Sequence, residues 1–183
     1  KGHVSCTQAT LRHPDGSAFK AQGMKVASSV LLEGTTATGQ VSLLGAQIGG
    51  QLVAIGVAFH NPTGHALNAQ SIQVRGDAFL RYATTDGEVS FMGAEVNGVL
   101  DFAHATMRNG QESALNTQRL VVREGFIWRR MQDVAGAVDL TSAHVGDLWD
   151  DPESWAMCER LYLSGFIYDV LHGGINVPDR LAW

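Results

Sequence analysis

The chain repeats itself every 48 residues, and a period of this size commits it to stacked, neighbour-covered units before any local secondary structure is read. Ala18-Phe19-Lys20-Ala21-Gln22-Gly23-Met24-Lys25-Val26 aligns with Ala66-Leu67-Asn68-Ala69-Gln70-Ser71-Ile72-Gln73-Val74, and that segment with Ala114-Leu115-Asn116-Thr117-Gln118-Arg119-Leu120-Val121-Val122. The other half follows suit. Gly39-Gln40-Val41-Ser42-Leu43-Leu44-Gly45-Ala46-Gln47-Ile48 aligns with Gly87-Glu88-Val89-Ser90-Phe91-Met92-Gly93-Ala94-Glu95-Val96, and a third copy from Gly136 to Val145 arrives one residue late.

Inside each repeat the apolar residues alternate in pairs, Val89 with Phe91, Ala94 with Val96, Leu100 with Phe102, Ala105 with Met107. Alternation of period two is the mark of strand, and no stretch sustains the i, i+3, i+4, i+7 pattern of a helix. Short strands that restart every few residues, separated by a glycine or a polar bend, describe a chain that keeps turning the same way. The pattern predicts an all-β, right-handed parallel β-solenoid, the hand following from the chirality of parallel crossovers. Halving the repeat gives about 24 residues per coil, hence about seven coils and a rod roughly 30 Å long at about 4.8 Å per rung. Residues 1–148 form the repeats; 149–183 hold an insertion, a last short coil and a cap of the same domain. The expected core is Val41, Leu43, Ile48, Leu67, Ile72, Val74, Phe79, Val89, Phe91, Val96, Leu100, Phe102, Leu115, Leu120, Val122, Ile127, Val138 and Leu140.

Turn residues fall in register with the repeat. His13-Pro14-Asp15-Gly16, Asn61-Pro62-Thr63-Gly64 and Asn109-Gly110 share one position and Gly45 and Gly93 mark another corner, where proline presets φ and glycine accepts φ > 0. The matched amides Asn61 and Asn109, Asn68 and Asn116, and Gln22, Gln70 and Gln118 are expected to bond the backbone at the bends.

With 183 residues, 45% of them apolar and 17% charged, the chain can bury a core without a disulfide framework or a metal. A net charge of −5 argues against a phosphate-tracking surface, and no nucleic-acid partner is expected. No apolar run reaches membrane-spanning length, and Lys1-Gly2-His3-Val4-Ser5-Cys6 has no signal-peptide pattern.

After Leu148 the repeat breaks. Asp147, Asp150, Asp151 and Glu153 gather around Trp149 and Trp155, and Asp151-Pro152-Glu153 has the form of a helix start, with Asp at the N-cap and Pro at the first helical position. The phrases from Gly87 to Asp101, Trp149-Asp150-Asp151-Pro152-Glu153-Ser154-Trp155, Leu163-Ser164-Gly165-Phe166-Ile167-Tyr168 and Asp179-Arg180-Leu181-Ala182-Trp183 resemble a family of actinobacterial proteins. Its members often carry the label "membrane-associated oxidoreductase" and are coiled in the manner of pentapeptide-repeat proteins. The resemblance spans nearly the whole chain and brings no catalytic motif with it. It implies a cytoplasmic setting, with any membrane association supplied by segments outside these residues. Gly2 corresponds to Gly50, inside a repeat, and family members usually continue past the final Trp183, so the chain is expected to be a section of a longer protein.

The residues themselves give no support to redox chemistry. Gly45-Ala46-Gln47-Ile48-Gly49-Gly50 has the wrong spacing for a dinucleotide fingerprint and no helix after it. Cys6 and Cys158 fall at opposite ends of the rod, beyond disulfide reach, and are read as a small core residue and a cap residue. The seven histidines show no HExxH or Cys-x-x-Cys spacing, although His60 and His65 flank one turn. No cofactor is expected.

Two alternatives to a non-catalytic scaffold are kept. One is a carbohydrate-active or oxidoreductase-type enzyme with its site on a solenoid face, where acids and bases of successive coils flank a bond; the acids would come from Asp77, Asp101, Asp139 and the Asp147 to Glu153 cluster. The other is a DNA-mimicking rod of the pentapeptide type. The candidate interaction patch is Arg75, Arg81, Arg123 and Arg129 with Asp147, Trp149, Asp150, Asp151 and Trp155; for the DNA-mimicking rod these arginines interrupt the acidic stripe it would need. The partner is expected to be another protein, or a second copy meeting the coil ends end to end.

Overall fold

A computed structural model describes residues 2–173; within them the chain is a parallel β-solenoid of seven turns with one short helix. Every strand pairing is parallel, and each coil contributes one strand to a seven-stranded sheet running from Thr10–Lys20 through Thr36–Ser42, Ala58–Asn68, Thr84–Ser90, Thr106–Asn116 and Asp133–Asp139 to Arg160–Tyr162. The remaining sides are two columns of two-residue strands. One holds Val4–Ser5, Val30–Leu31, Leu52–Val53, Ala78–Phe79 and Leu100–Asp101; the other holds Lys25–Val26, Gln47–Ile48, Gln73–Val74 and Glu95–Val96. From Val121–Trp128 onward the two short columns run together as single strands, continued by His144–Asp150 and Ile167–His172.

The repeat is a pair of unequal coils, not two equal ones. Thr10 pairs with Thr36, Thr36 with Ala58, Ala58 with Thr84 and Thr84 with Thr106, so coils of 26 and 22 residues alternate. The four extra residues lie in the middle of each eleven-residue strand. Register breaks twice there: residues 13–16 face Gly39 alone, 61–64 face Gly87 and 109–112 face Gly136, which accounts for three, and Ala18, Ala66 and Ala114 are the fourth, passed over before the register resumes. The His13 to Gly16 and Asn61 to Gly64 turns are therefore outward excursions within a strand, not corners of the coil. Asn61 closes the second of these excursions and Asn109 the third, Nδ2 donating to the carbonyls of His65 and Ser113 at 2.8 and 2.7 Å.

True corners use left-handed backbone, with Gly23, Gly45 and Gly93 in one column and Gly34 and Gly56 in the other, all with φ between +62 and +64°. The matched asparagines bond the backbone at the bends as the sequence suggests, Asn68 Oδ1 accepting from the amide of Gln70 and Asn116 Oδ1 from Gln118, and Asp139 Oδ1 does the same for Thr141. The glutamine side chains instead bond other side chains, Gln22 to Ser42, Gln70 to His65 and Gln118 to Asp139.

Between the faces the alternating residues close on themselves. Val41, Leu67, Val89, Leu115 and Val138 stack along the long-strand sheet, and Ile48, Val74, Val96 and Val122 along the second short column, all buried. Sixteen of the eighteen expected core residues are buried; Phe79 and Ile127 are not. They belong to the outward row with Leu31, Val53 and Asp101, one residue out of phase with the inward row Ala78, Leu100 and Phe126. Phe126 and Trp128 take the inward places and extend an aromatic column in which Phe91 meets Phe102, and Phe102 meets both Phe126 and Trp128, at centroid distances of 5.8 to 6.0 Å.

The insertion after Asp150 closes this column. Helix Pro152–Ala156 starts at Asp151, whose Oδ1 accepts from the amide of Ser154 at 2.7 Å while Oδ2 accepts from the amide of Arg130 at 2.5 Å. Trp155 is thereby laid on Trp128, centroids 5.3 Å apart, with its Nε1 donating to Asp150 at 2.8 Å. The expected cap residues beyond His172 and Gly173 lie outside the described residues.

Candidate functional site

The four arginines grouped by sequence lie on different strand columns. Arg75 and Arg123 flank the second short column; Arg123 is tied down, Nη2 donating to Glu95 at 2.6 Å and Nε to Asn97 at 3.1 Å. Arg81 and Arg129 leave the far end of the first short column, two residues past Phe79 and Ile127. There Arg81 Nε sits 3.4 Å from the Asp101 carboxylate and its guanidinium covers Phe79 at 4.8 Å. Arg129 lies over Trp149 at 5.7 Å, Trp149 stacks on His172 at 4.0 Å, and His172 Nε2 is 3.1 Å from Asp147.

The acidic candidates are occupied with building the rod. Asp77 accepts from the amide of Val99 at 3.0 Å and from the Gln51 side chain at 2.8 Å. Asp139 takes Thr141 and the Gln118 side chain. Asp150, Asp151 and Trp155 belong to the cap, with Asp150 and Trp155 buried. Asp101 is the buried carboxylate of the first short column: it accepts from the amide of Ala103 at 2.8 Å. Burial pushes its carboxyl above the usual carboxylate range, an effect offset in part by that hydrogen bond and by the positive charge of Arg81 and Arg129 nearby.

One feature was not read from the sequence. In the corner column that begins with Gln8 at φ +54° and continues through Gly34 and Gly56, the next three coils place Tyr82, His104 and Arg130 in left-handed backbone, with φ of +58, +61 and +52°. Tyr82 and Arg130 are exposed and His104 is half-buried between them, and the Tyr82 and His104 rings stack with centroids 4.8 Å apart. The signal lay in the offset of 26 and 22 residues between coils, which brings 34, 56, 82, 104 and 130 onto one line; a period of 48 alone links only alternate members.

His60 and His65 do not converge on a common point. His60 Nδ1 is 2.7 Å from Asp86, and His65 approaches Glu88 and the Gln70 side chain. Among the described residues no group of three or more His, Cys, Asp or Glu side chains is placed to hold a metal ion, and no helix is long and apolar enough to cross a membrane. Cys6 and Cys158 are both free, and burial pushes the Cys158 thiol up to about 12. No protein-family model and no curated protein sequence matches the chain.

Proposed function

We propose that this rod is a non-catalytic scaffold that meets a protein partner along the ridge formed by Tyr82, His104 and Arg130 with the adjoining Arg81, Arg129 and Trp149. The observation that carries this reading is the residue choice at the left-handed corner. A side chain there costs roughly 1–2 kcal/mol relative to glycine, and two neighbouring coils do use glycine. Exposed Tyr, Trp and Arg at one edge are the residue types that dominate protein–protein contacts. The carboxylates that a hydrolytic groove would need are instead engaged with backbone amides and the cap, which supports scaffold over enzyme.

The double variant Tyr82→Gly/His104→Gly tests the reading. Its expected melting temperature is equal to or above that of the parent, because glycine relieves the corner. Photo-crosslinking from benzoylphenylalanine at Arg130 in source-cell extract is expected to trap one protein, and the double variant to lose it. A fall of several degrees in melting temperature would make the ridge a structural element and remove the proposal.

A further inference from the structure

The repeat supplies a filled and an unfilled copy of one arrangement on the second short column. In the filled copy Arg123 reaches back one coil to the Glu95 carboxylate and the Asn97 amide oxygen. Arg75 occupies the same place one repeat earlier, and the residues in front of it, in the same register, are Gln47 and Gly49. The carboxylate has become an amide and the asparagine side chain is absent. Gly49 cannot regain one without movement, since a Cβ there would lie 2.6 Å from the Ala27 carbonyl oxygen.

What remains in that place is a cleft of about 450 Å³ lined by Lys25, Gln47, Gly49, Gln73 and Arg75, with the buried side chains of Val26 and Ile48 as its floor. Among the described residues Lys25 and Arg75 take part in no ion pair, whereas Arg123, the counterpart of Arg75, does. Lys25, Gln47 and Gln73 are consecutive rungs of one parallel column, so two cationic groups and two amides face one hollow on a rigid backbone.

We propose that the cleft binds a carboxylate, seated against Arg75 as the Glu95 carboxylate is seated against Arg123, and that its source is an acidic side chain of an extended polypeptide. A guanidinium presents paired donors to a carboxylate, and Lys25 adds a second positive charge. The amides of Gln47 and Gln73, about 4.8 Å apart along the column, match the donor and acceptor groups of a peptide backbone lying across them. The cleft is on a different column from the Tyr82 ridge, so the two readings stand or fall separately.

The test is a titration of the ¹⁵N-labelled chain at low salt with acetyl-hexaglutamate-amide and, separately, with trigalacturonate, following Arg75 Nε–H and the side-chain amides of Gln47 and Gln73. The peptide is expected to give saturable shifts at these groups. Arg75→Gln is expected to weaken them at least about tenfold. Gln47→Glu rebuilds the internal pair and is expected to do the same, whereas Arg12→Gln on the long-strand sheet leaves binding unchanged. Circular dichroism melting of each variant confirms that the rod is folded. Saturation by trigalacturonate alone would overturn the polypeptide source, and wild-type binding by Gln47→Glu, or no saturable shift with either probe, would overturn the site.

Discussion

A methyl group built on Gly87 would lie 2.2 Å from the carbonyl oxygen of Asn61, the first residue of the excursion on the coil before it. The same relationship joins Gly39 to His13, while Gly136 meets the carbonyl of Glu112 at the other end of its excursion. Each long coil thus rests its four-residue excursion on a position of the following coil that has no side chain to offer. Gly87→Ala combines this clash with φ of +116°, and we expect it to cost roughly 2–4 kcal/mol and lower the melting temperature by roughly 5–15 °C. Gly56→Ala, at φ +62° with open space around it, is expected to cost only about 1 kcal/mol. Differential scanning calorimetry of the pair distinguishes contact from conformation.

Burial alternates residue by residue, so two phenylalanines on the same rod respond oppositely to charge. Phe91 is fully buried, and Phe91→Asp places an unpaired carboxylate in the core and is expected to abolish cooperative folding. Phe79 faces outward beneath the Arg81 guanidinium, and Phe79→Asp should remain folded by circular dichroism. Folding of Phe91→Asp together with unfolding of Phe79→Asp would mean that the rows are shifted by one residue.

The pH dependence of Asp101 has a definite sign. Its folded pKa is raised by burial, so the folded state holds that proton more tightly than the unfolded chain. Its contribution is fully present below the ordinary carboxyl value of 3.8 and declines as pH rises through the folded pKa. Asp101→Asn keeps an acceptor for the Ala103 amide and removes the titration. Urea unfolding between pH 3 and 7 should therefore show the stability of the variant minus that of the parent increasing as pH rises; a difference that decreases with pH would contradict this origin.

Removing the lid exposes the aromatic column. Trp155→Ala deletes the ring stacked on Trp128 and the donor to Asp150, with an expected cost of about 3–5 kcal/mol. Trp128 fluorescence should shift to the red as water reaches its ring, and an unchanged spectrum would show that the column is sealed by other groups.

The Cys158 thiol, pushed up to about 12 by burial, is almost entirely un-ionised at pH 8. Iodoacetamide should modify it at least tenfold more slowly in the folded chain than in urea. Peptide mass mapping over time measures both rates, and equal rates would place the thiol in solvent.

Much of this architecture was legible because the repeat and the strand alternation carry the same physical information. A solenoid buries one residue in two and reuses each turn, so Val89, Phe91 and Val96 announce both strand and core. The unequal coils were hidden because averaging over the repeat erases a difference of four residues. That error carried into Phe79 and Ile127, which a period of 48 relates to each other but not to Leu100 and Phe126. The cap was readable from Asp151-Pro152, since a carboxylate before a proline is a local signal. The corner ridge and the Arg75 cleft were not, because each depends on which residues of unequal coils come into line.

The seating of every excursion on the next coil's glycine also sets the unit in which such a rod can lengthen. Adding or deleting a single coil would bring an overhang against a strand that carries a side chain, or leave a glycine with nothing above it. Growth is therefore quantised in two-coil steps, each advancing the rod by about 9.6 Å, and any partner that reads its length counts in that increment.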